Sequence, residues 1–487
     1  MSTLLSVLPL RVRAERMSCR ALPGDLLPLV TSRPHPFFLD SLGRDSSLAR
    51  YSFLGSDPFL ILSAQGNEIT ERTRPARRPS RTAVRKGNPF RALKNALSRF
   101  AVEASPCPCP FVGGAVGFFG YDLRHFVEKL PSRADRDCSI PDMYFAFYDA
   151  LLAYDHSSSE WTALALEGPD GKTPGGKRVR DVLRDLRDLL LDADPVTDPS
   201  PRCVPRLRDG LIRSNFTRDG YLAAVRRALD YIGAGDIFQV NLSQRFQTRL
   251  ALPPAELYRV LRGVNPAPFA AFLASDDWAV LSSSPERFLL LRGSNVSTRP
   301  IKGTRKHTGD PRADAALRSD LLASPKDRAE LVMIVDLERN DLGRVCTYGS
   351  VRVTQPVVLE EHPTVFHLVA TVEGRLHPAF GPVDLVRASF PGGSITGAPK
   401  VRAMEIIDEL EPTARNLYTG SLGYIGFDGS MDLSIVIRTF LVDRSIVTFQ
   451  VGGGIVADSD PPAEYEETLH KGRALLAALG FSGDPAE

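Results

Sequence analysis

The stretch from residue 421 to 451 reads as three β-runs joined by two very short turns. Residues 421–427 are rich in strand formers. Asp428-Gly429 is a turn dipeptide, 431–442 is a second run, Asp443-Arg444 a second turn, and 446–451 a third run. Turns this short fit only between antiparallel neighbours, because parallel strands need a long crossover. A doubly wound parallel sheet is therefore excluded for this part of the chain. Short apolar runs at Phe37-Phe-Leu39, Tyr51-Ser-Phe-Leu54 and Phe59-Leu-Ile-Leu62 continue the theme, each ended by Gly, Pro or Asp. Gly113-Gly-Ala-Val-Gly-Phe-Phe-Gly120 is a Gly/aromatic strand in which backbones must approach closely. Helices alternate with these strands. Thr217 caps one that carries Leu222, Val225, Leu229 and Ile232 and stops at Gly233 and Gly235. The expected class is α+β, with large antiparallel β-sheets packed against helices.

Composition bounds the rest. The 487 residues suffice for one large domain or two to three ordinary ones. A turn-rich loop at 167–177, a charged helical stretch from 178 to about 191 and a Pro/Asp/Arg-rich stretch at 192–209 divide the chain. The expected regions are 1–165, a linker with a charged helix at 166–213, and a main region at 214–480. A net charge of +2 gives no case for nucleic acid. The basic segment 72–86 lacks aromatic residues and reads as a solvated surface loop. No apolar run is long enough for a membrane. The N-terminus has no positive region before its apolar stretch, so it reads as a first strand rather than a signal peptide. Six cysteines without a framework fit a reduced, cytoplasmic protein.

Chemistry concentrates around Lys302, in Arg299-Pro-Ile-Lys-Gly-Thr-Arg305. Two acidic pairs accompany it, Asp327/Glu330 and Glu464/Glu467, each at i, i+3 spacing. Ser324-Pro325 opens a helix before the first pair, and Ser459 or Asp460 followed by Pro461-Pro462 opens one before the second. Each pair then lies on one face of a first helical turn. Acids there also stabilise a helix end without binding anything. If they hold a metal, magnesium suits them, since it prefers carboxylate and water oxygens. Cys107-Pro-Cys109 is too tight for a zinc site. Gly392-Gly-Ser-Ile-Thr-Gly-Ala-Pro-Lys400 is a Gly-rich loop entering a helix, where free N–H groups and Lys400 could hold an anion; a plain turn fits equally well. Gly452-Gly-Gly454 ends a strand where a ligand or another backbone can pass close. His367, in Val365-Phe-His-Leu-Val-Ala370, reads on its own as a hydrogen-bonded core histidine.

Together these motifs resemble the chorismate-utilising enzymes, a family that includes component I of aminodeoxychorismate synthase and of anthranilate synthase. The resemblance covers nearly all of 214–480. It rests on SSSPERF (282–288), PIKGTR (300–305), DRAELVMIVDLERNDLGRV (327–345), FPGGSITGAPK (390–400), LYTGSLGYIGFDG (417–429), IRTF (437–440) and VGGGIVADSDPPAEYEETLHK (451–471). Residues 1–165 are similar to the family's first region, more loosely. The resemblance implies the family's anthranilate synthase component I-like fold. Glu286 matches its acid, Lys302 its variable position, and His367 a histidine near the reacting carbon. Glu330 and Glu467 match direct magnesium ligands, with Asp327 and Glu464 holding metal-bound water. Arg438 and Tyr418 match residues that grip a substrate carboxylate. Gly452 and Gly454 are expected to offer backbone N–H groups. Ser394 and Lys471 complete the expected substrate site, though Lys471 can also simply pair with Glu467. Leu39-Asp-Ser41 matches the family's tryptophan-site motif, with Asp where Glu is usual, which makes Ser41 a candidate tryptophan contact.

Position 302 separates the members. Anthranilate-forming relatives carry Ala there, whereas aminodeoxychorismate-forming relatives carry Lys. Water-adding relatives place a lysine base where this chain has Gln239. The resemblance thus implies amination of chorismate at C4 through a covalent Lys302 intermediate, on the para-aminobenzoate and folate branch. No Gly-x-Cys-x-Gly elbow surrounds any cysteine, so ammonia is expected from a separate glutamine amidotransferase or from solution. Two alternatives stay open: anthranilate synthase component I, and a catalytically silent tryptophan-binding scaffold.

Overall fold

The computed structural model describes residues 7–42, 48–74, 80–103, 108–193, 212–361 and 365–481. Most of the 192–209 stretch, residues 75–79 of the basic segment and Cys107 lie outside the described residues.

Two large sheets lie face to face, of 13 and 12 strands among the described residues. Neighbours pair antiparallel throughout, except Leu8–Met17 beside Phe100–Val102. Both sheets take strands from both ends of the chain. Phe37–Asp40 pairs with Phe269–Ala274 in one, and Gly114–Phe119 with Ser421–Gly426 in the other.

Three apolar layers hold the body together. Outside the first sheet, Val179–Leu191, Arg218–Gly233, Pro254–Val264, Lys400–Leu410 and Pro461–Ala478 bury their apolar stripes. Outside the second, Pro89–Leu97, Pro325–Gly343 and Pro382–Ser389 do the same. Between the sheets lies an aromatic layer that includes Phe37, Phe53, Phe111, Phe118, Tyr144, Tyr148 and Trp278. The caps act as expected: Thr217, Ser324 and Asp460 accept from the N–H groups of Gly220, Asp327 and Ala463.

The 431–442 run is not one strand. It breaks into Met431–Ile435 in the second sheet and Thr439–Asp443 in the first. Arg438 sits in the gap at φ 50°, a left-handed conformation unusual for arginine. Beside it, Trp278–Ser284 and Arg287–Arg292 make the same change of sheet in the opposite direction, across Pro285-Glu286. Two backbone bonds tie the crossovers together, Ser283 N to Arg438 O at 3.1 Å and Ile435 N to Glu286 O at 3.0 Å.

The basic segment also differs from the expected loop. Glu68–Thr73 and Arg81–Lys86 form a hairpin at the end of the second sheet, and the outer strand is fully exposed. Arginine and lysine on such an edge discourage pairing with other chains.

Candidate active site

The site lies between the sheets, where the aromatic layer gives way to polar side chains. Strand Gln239–Arg249 turns Val240, Leu242 and Phe246 outward into the helix-covered core. The alternate positions Gln239, Asn241, Ser243 and Arg245 are also buried. They form a polar inner wall. The neighbouring strand Ile446–Ile455 carries Gly452-Gly-Gly454 at its far end. Its pairing with Thr439–Asp443 stops at Thr448, so beyond that point one edge of its backbone is out of the ladder. This suits the expected donor role of the Gly452 and Gly454 N–H groups. A Cβ on Gly454 would collide with the Gln239 amide and lie 3.6 Å from Lys302 Nζ, so the lysine amine faces the glycine strand.

Lys302 enters from strand Ile301–Lys306, which packs under helix Pro325–Gly343. The register slips between Lys302 and Thr304, and Gly303 takes φ 71° in that bulge. A Cβ on Gly303 would press to 3.0 Å from the Asp327 side chain, so glycine is required there. Burial lowers the Lys302 pKa below that of an ordinary lysine. Lys471 adds to this, against Glu330, Glu286 and Glu467.

Glu286 projects from the Pro285-Glu286 crossover and is buried. Burial raises its pKa, opposed by the Ser394 hydroxyl, Lys302, the backbone at Ile301, and Arg438. Ser394, expected as a substrate contact, donates to Glu286 Oε1 at 2.7 Å and so holds the acid. Arg438, from the other crossover, has its pKa lowered by burial, with Glu286 opposing.

The acidic helix starts flank this pair. Burial raises Glu330, with Lys302 as its strongest counterweight. Burial also pushes Glu467 upward, but Lys471, Lys326 and Lys302 together hold it below the usual value. Lys471 bridges Glu467 at 2.6 Å and the Gly452 carbonyl at 3.0 Å, so its ammonium is already engaged. Glu464 accepts from Ser459 Oγ at 2.5 Å, and its other oxygen is buried with no hydrogen-bond partner among the described residues. Asp327 is tied to Arg305 at 3.2 Å. No three His, Cys, Asp or Glu side chains converge as a ligand cluster among the described residues. The donor set still fits a hard cation that takes few protein oxygens and keeps water or substrate ligands: the orphaned Glu464 oxygen and Glu467 both lie against Gly453.

Other expected residues sit further out. His367 is buried, its Nδ1 3.0 Å from Thr304 Oγ1 on the Lys302 strand. Tyr418 packs on Arg415 and lines a neighbouring cavity of about 410 Å³ with Arg245, Thr439 and Gln450. Ser41 lies away from Lys302, in a separate cavity of about 330 Å³ with Arg50, Tyr51, Phe53 and Tyr424, where its hydroxyl donates to Tyr51 O at 2.6 Å. Lys400 is not available for an anion, because it bonds Asp341 and the Ser389 carbonyl.

Sequence comparison fits this geometry. Residues 44–477 match the chorismate binding enzyme family. The chain belongs to the chorismate-binding enzymes. Aminodeoxychorismate synthase component 1 of Klebsiella aerogenes is 41% identical over 92% of this chain and 95% of that protein. Anthranilate synthase component 1 of Thermus thermophilus is 40% identical over 93% and 94%. The structure of anthranilate synthase component I from Streptococcus pneumoniae superposes with a TM-score of 0.76 at 31% identity, covering 87% of this chain and 91% of that one. Among the described residues of this chorismate-binding enzyme, no helix is long and apolar enough to cross a membrane.

Sequence reading misses two buried networks here. Arg415 is bound twice to Glu411 and also to the carbonyls of Asn241 and Ile395. Glu338 and Asp341 lie behind Glu286. The i, i+4 spacing of Glu411 and Arg415 is a signal for the first, but common surface pairs share it.

Proposed function

We propose that this chain aminates chorismate at C4, as component 1 of an aminodeoxychorismate synthase. One observation carries the reading: the Lys302 amine, made easier to deprotonate by burial, faces the glycine strand within electrostatic reach of Glu286. Hydroxide is a poor leaving group, so an acid must protonate the C4 hydroxyl, and a carboxyl whose pKa is raised by burial suits that task. Glu286 gives its proton, the Lys302 lone pair forms a bond to C2, the ring double bonds shift, and water leaves from C4. Ammonia then attacks C4, the double bonds shift back, and the C2–N bond breaks to return Lys302 as an amine. Arg438 holds a substrate carboxylate with its planar fork.

Magnesium, when bound, neutralises and orients the ring carboxylate. Glu330 and Glu467 would hold it directly, with Glu464 and Asp327 acting through water. Ammonia is supplied by a separate glutamine amidotransferase, a reading supported by the missing cysteine elbow and by relatives named as a component 1. The Ser41 cavity, walled by Tyr51, Phe53 and Tyr424, suits an aromatic ligand such as tryptophan.

A second reading, anthranilate formation, is favoured by relatives of that name at similar identity. Purified protein with chorismate, magnesium and ammonium decides between them by chromatography of the product. Aminodeoxychorismate supports the main reading, and anthranilate overturns it.

A further inference from the structure

The chemistry above leaves a buried acidic cluster behind Glu286 unused. Glu338 and Asp341, one turn apart on Pro325–Gly343, are 2% and 5% exposed. Lys400, opening Lys400–Leu410, bonds Asp341 at 2.5 Å. Two carboxyls thus lie near one ammonium, which of the two bonds only Asp341. An uncompensated buried charge is costly, so the carboxyl without the lysine keeps its proton. Burial, then Asp341, pushes Glu338 up to about 8; Glu286 acts in the same direction and Lys400 against it.

Glu338 touches both halves of the site. Its Oε2 is hydrogen-bonded to Thr298 Oγ1 at 3.4 Å, on the strand that ends at Arg299, just before Lys302. On the other side it packs against the Gly393 backbone, where a Cβ on Gly393 would lie only 3.5 Å from its Oε1. Gly393 precedes Ser394, whose hydroxyl holds Glu286.

We propose that Glu338, as a neutral carboxyl, is a positioning residue for Glu286: it backs the Gly393-Ser394 turn by packing against it and keeps negative charge away from the acid while that acid loses its proton. The proposal rests on the reading of Glu286 as the acid. Glu286 is left as an anion when it donates. A carboxylate at Glu338 would make that state costlier, so the parent should slow as Glu338 ionises above neutral pH.

The test compares Glu338→Gln, Glu338→Ala and Glu286→Gln in the full chain with ammonium as nitrogen source. Glu338→Gln keeps a neutral acceptor. It should hold kcat at neutral pH within about threefold and move the alkaline limb of the kcat profile to higher pH. Glu338→Ala should lower kcat about tenfold or more while the KM for chorismate changes less than about twofold, the mark of a displaced acid with binding intact. Parent kcat in Glu338→Ala, or an unmoved alkaline limb in Glu338→Gln, overturns the proposal. If Glu338→Ala does not fold, the Glu338→Gln profile alone decides. Full activity in Glu286→Gln would instead overturn the acid assignment itself.

Discussion

Replacing Lys302 with methionine deletes the amine while keeping an unbranched stem of similar length. The stem rises from the strand that also carries Thr304, His367's partner, and reaches toward the glycine strand, and its charge is the strongest counterweight to the raised pKa of Glu330. The fold should survive, because the strand's ladder and the helix packed on it do not use the amine. Glu330 should become still harder to ionise, since its main favourable neighbour is gone. Chorismate binding should persist through Arg438. Turnover to aminodeoxychorismate should fall by at least about 10³, which is about 4 kcal/mol of transition-state stabilisation at 1.36 kcal/mol per decade. That is a cautious share of what a held nucleophile gains over one from solution. Residual direct attack by ammonia at C2 should shift the product toward the anthranilate-type intermediate. The assay is chromatography of products at saturating ammonium, with intact-protein mass spectrometry of the parent to find a substrate adduct on Lys302. Aminodeoxychorismate formation at the parent rate by Lys302→Met, with no adduct in the parent, would refute the covalent step.

Other outcomes follow from the same geometry. Chelation should abolish turnover and added magnesium restore it, with Glu330→Gln and Glu467→Gln inactive but folded by circular dichroism; full activity in excess chelator would remove the metal from the reading. The isolated chain should use ammonium and not glutamine, checked by product formation with each nitrogen source on rigorously pure protein. Gly454→Ala should displace the Gln239 amide, whose carbonyl oxygen has no hydrogen-bond partner among the described residues, and so destabilise the fold by under about 1 kcal/mol. Its new methyl would stand beside the lysine amine and should cut kcat/KM at least about tenfold, measured beside a thermal melt.

What is local in the sequence proves readable. The helix starts at Ser324 and Asp460 announce themselves through a cap followed by proline, and the hairpin turn at Asp428-Gly429 through its dipeptide. The motif residues Glu286, Lys302, Ser394 and Gly454 gather at one place. What depends on distant partners does not show. Val436-Ile437-Arg438 has the composition of an uninterrupted strand, and the partners at the break are distant in sequence: Val436 bonds Thr419 and Gly420, and Arg438 bonds Ser283. The polar alternate positions of Gln239–Arg249 are the buried wall of the site, and nothing local in the sequence marks them as buried. Lys400 reads as an anion donor because Asp341, fifty-nine residues away in sequence, is invisible locally.

The sharing of both sheets between the chain's two ends means that residues 214–480, which carry every proposed catalytic group, are not self-sufficient. Cut away from 1–165, Phe269–Ala274 would lose Phe37–Asp40, and Ser421–Gly426 would lose Gly114–Phe119. Each sheet would then end in an open, apolar edge of the kind that recruits other chains. Those edges lie one strand from the crossover strands that bear Glu286 and Arg438. The N-terminal region contributes none of those groups, yet its strands cover the sheet edges next to the acid-and-arginine corner.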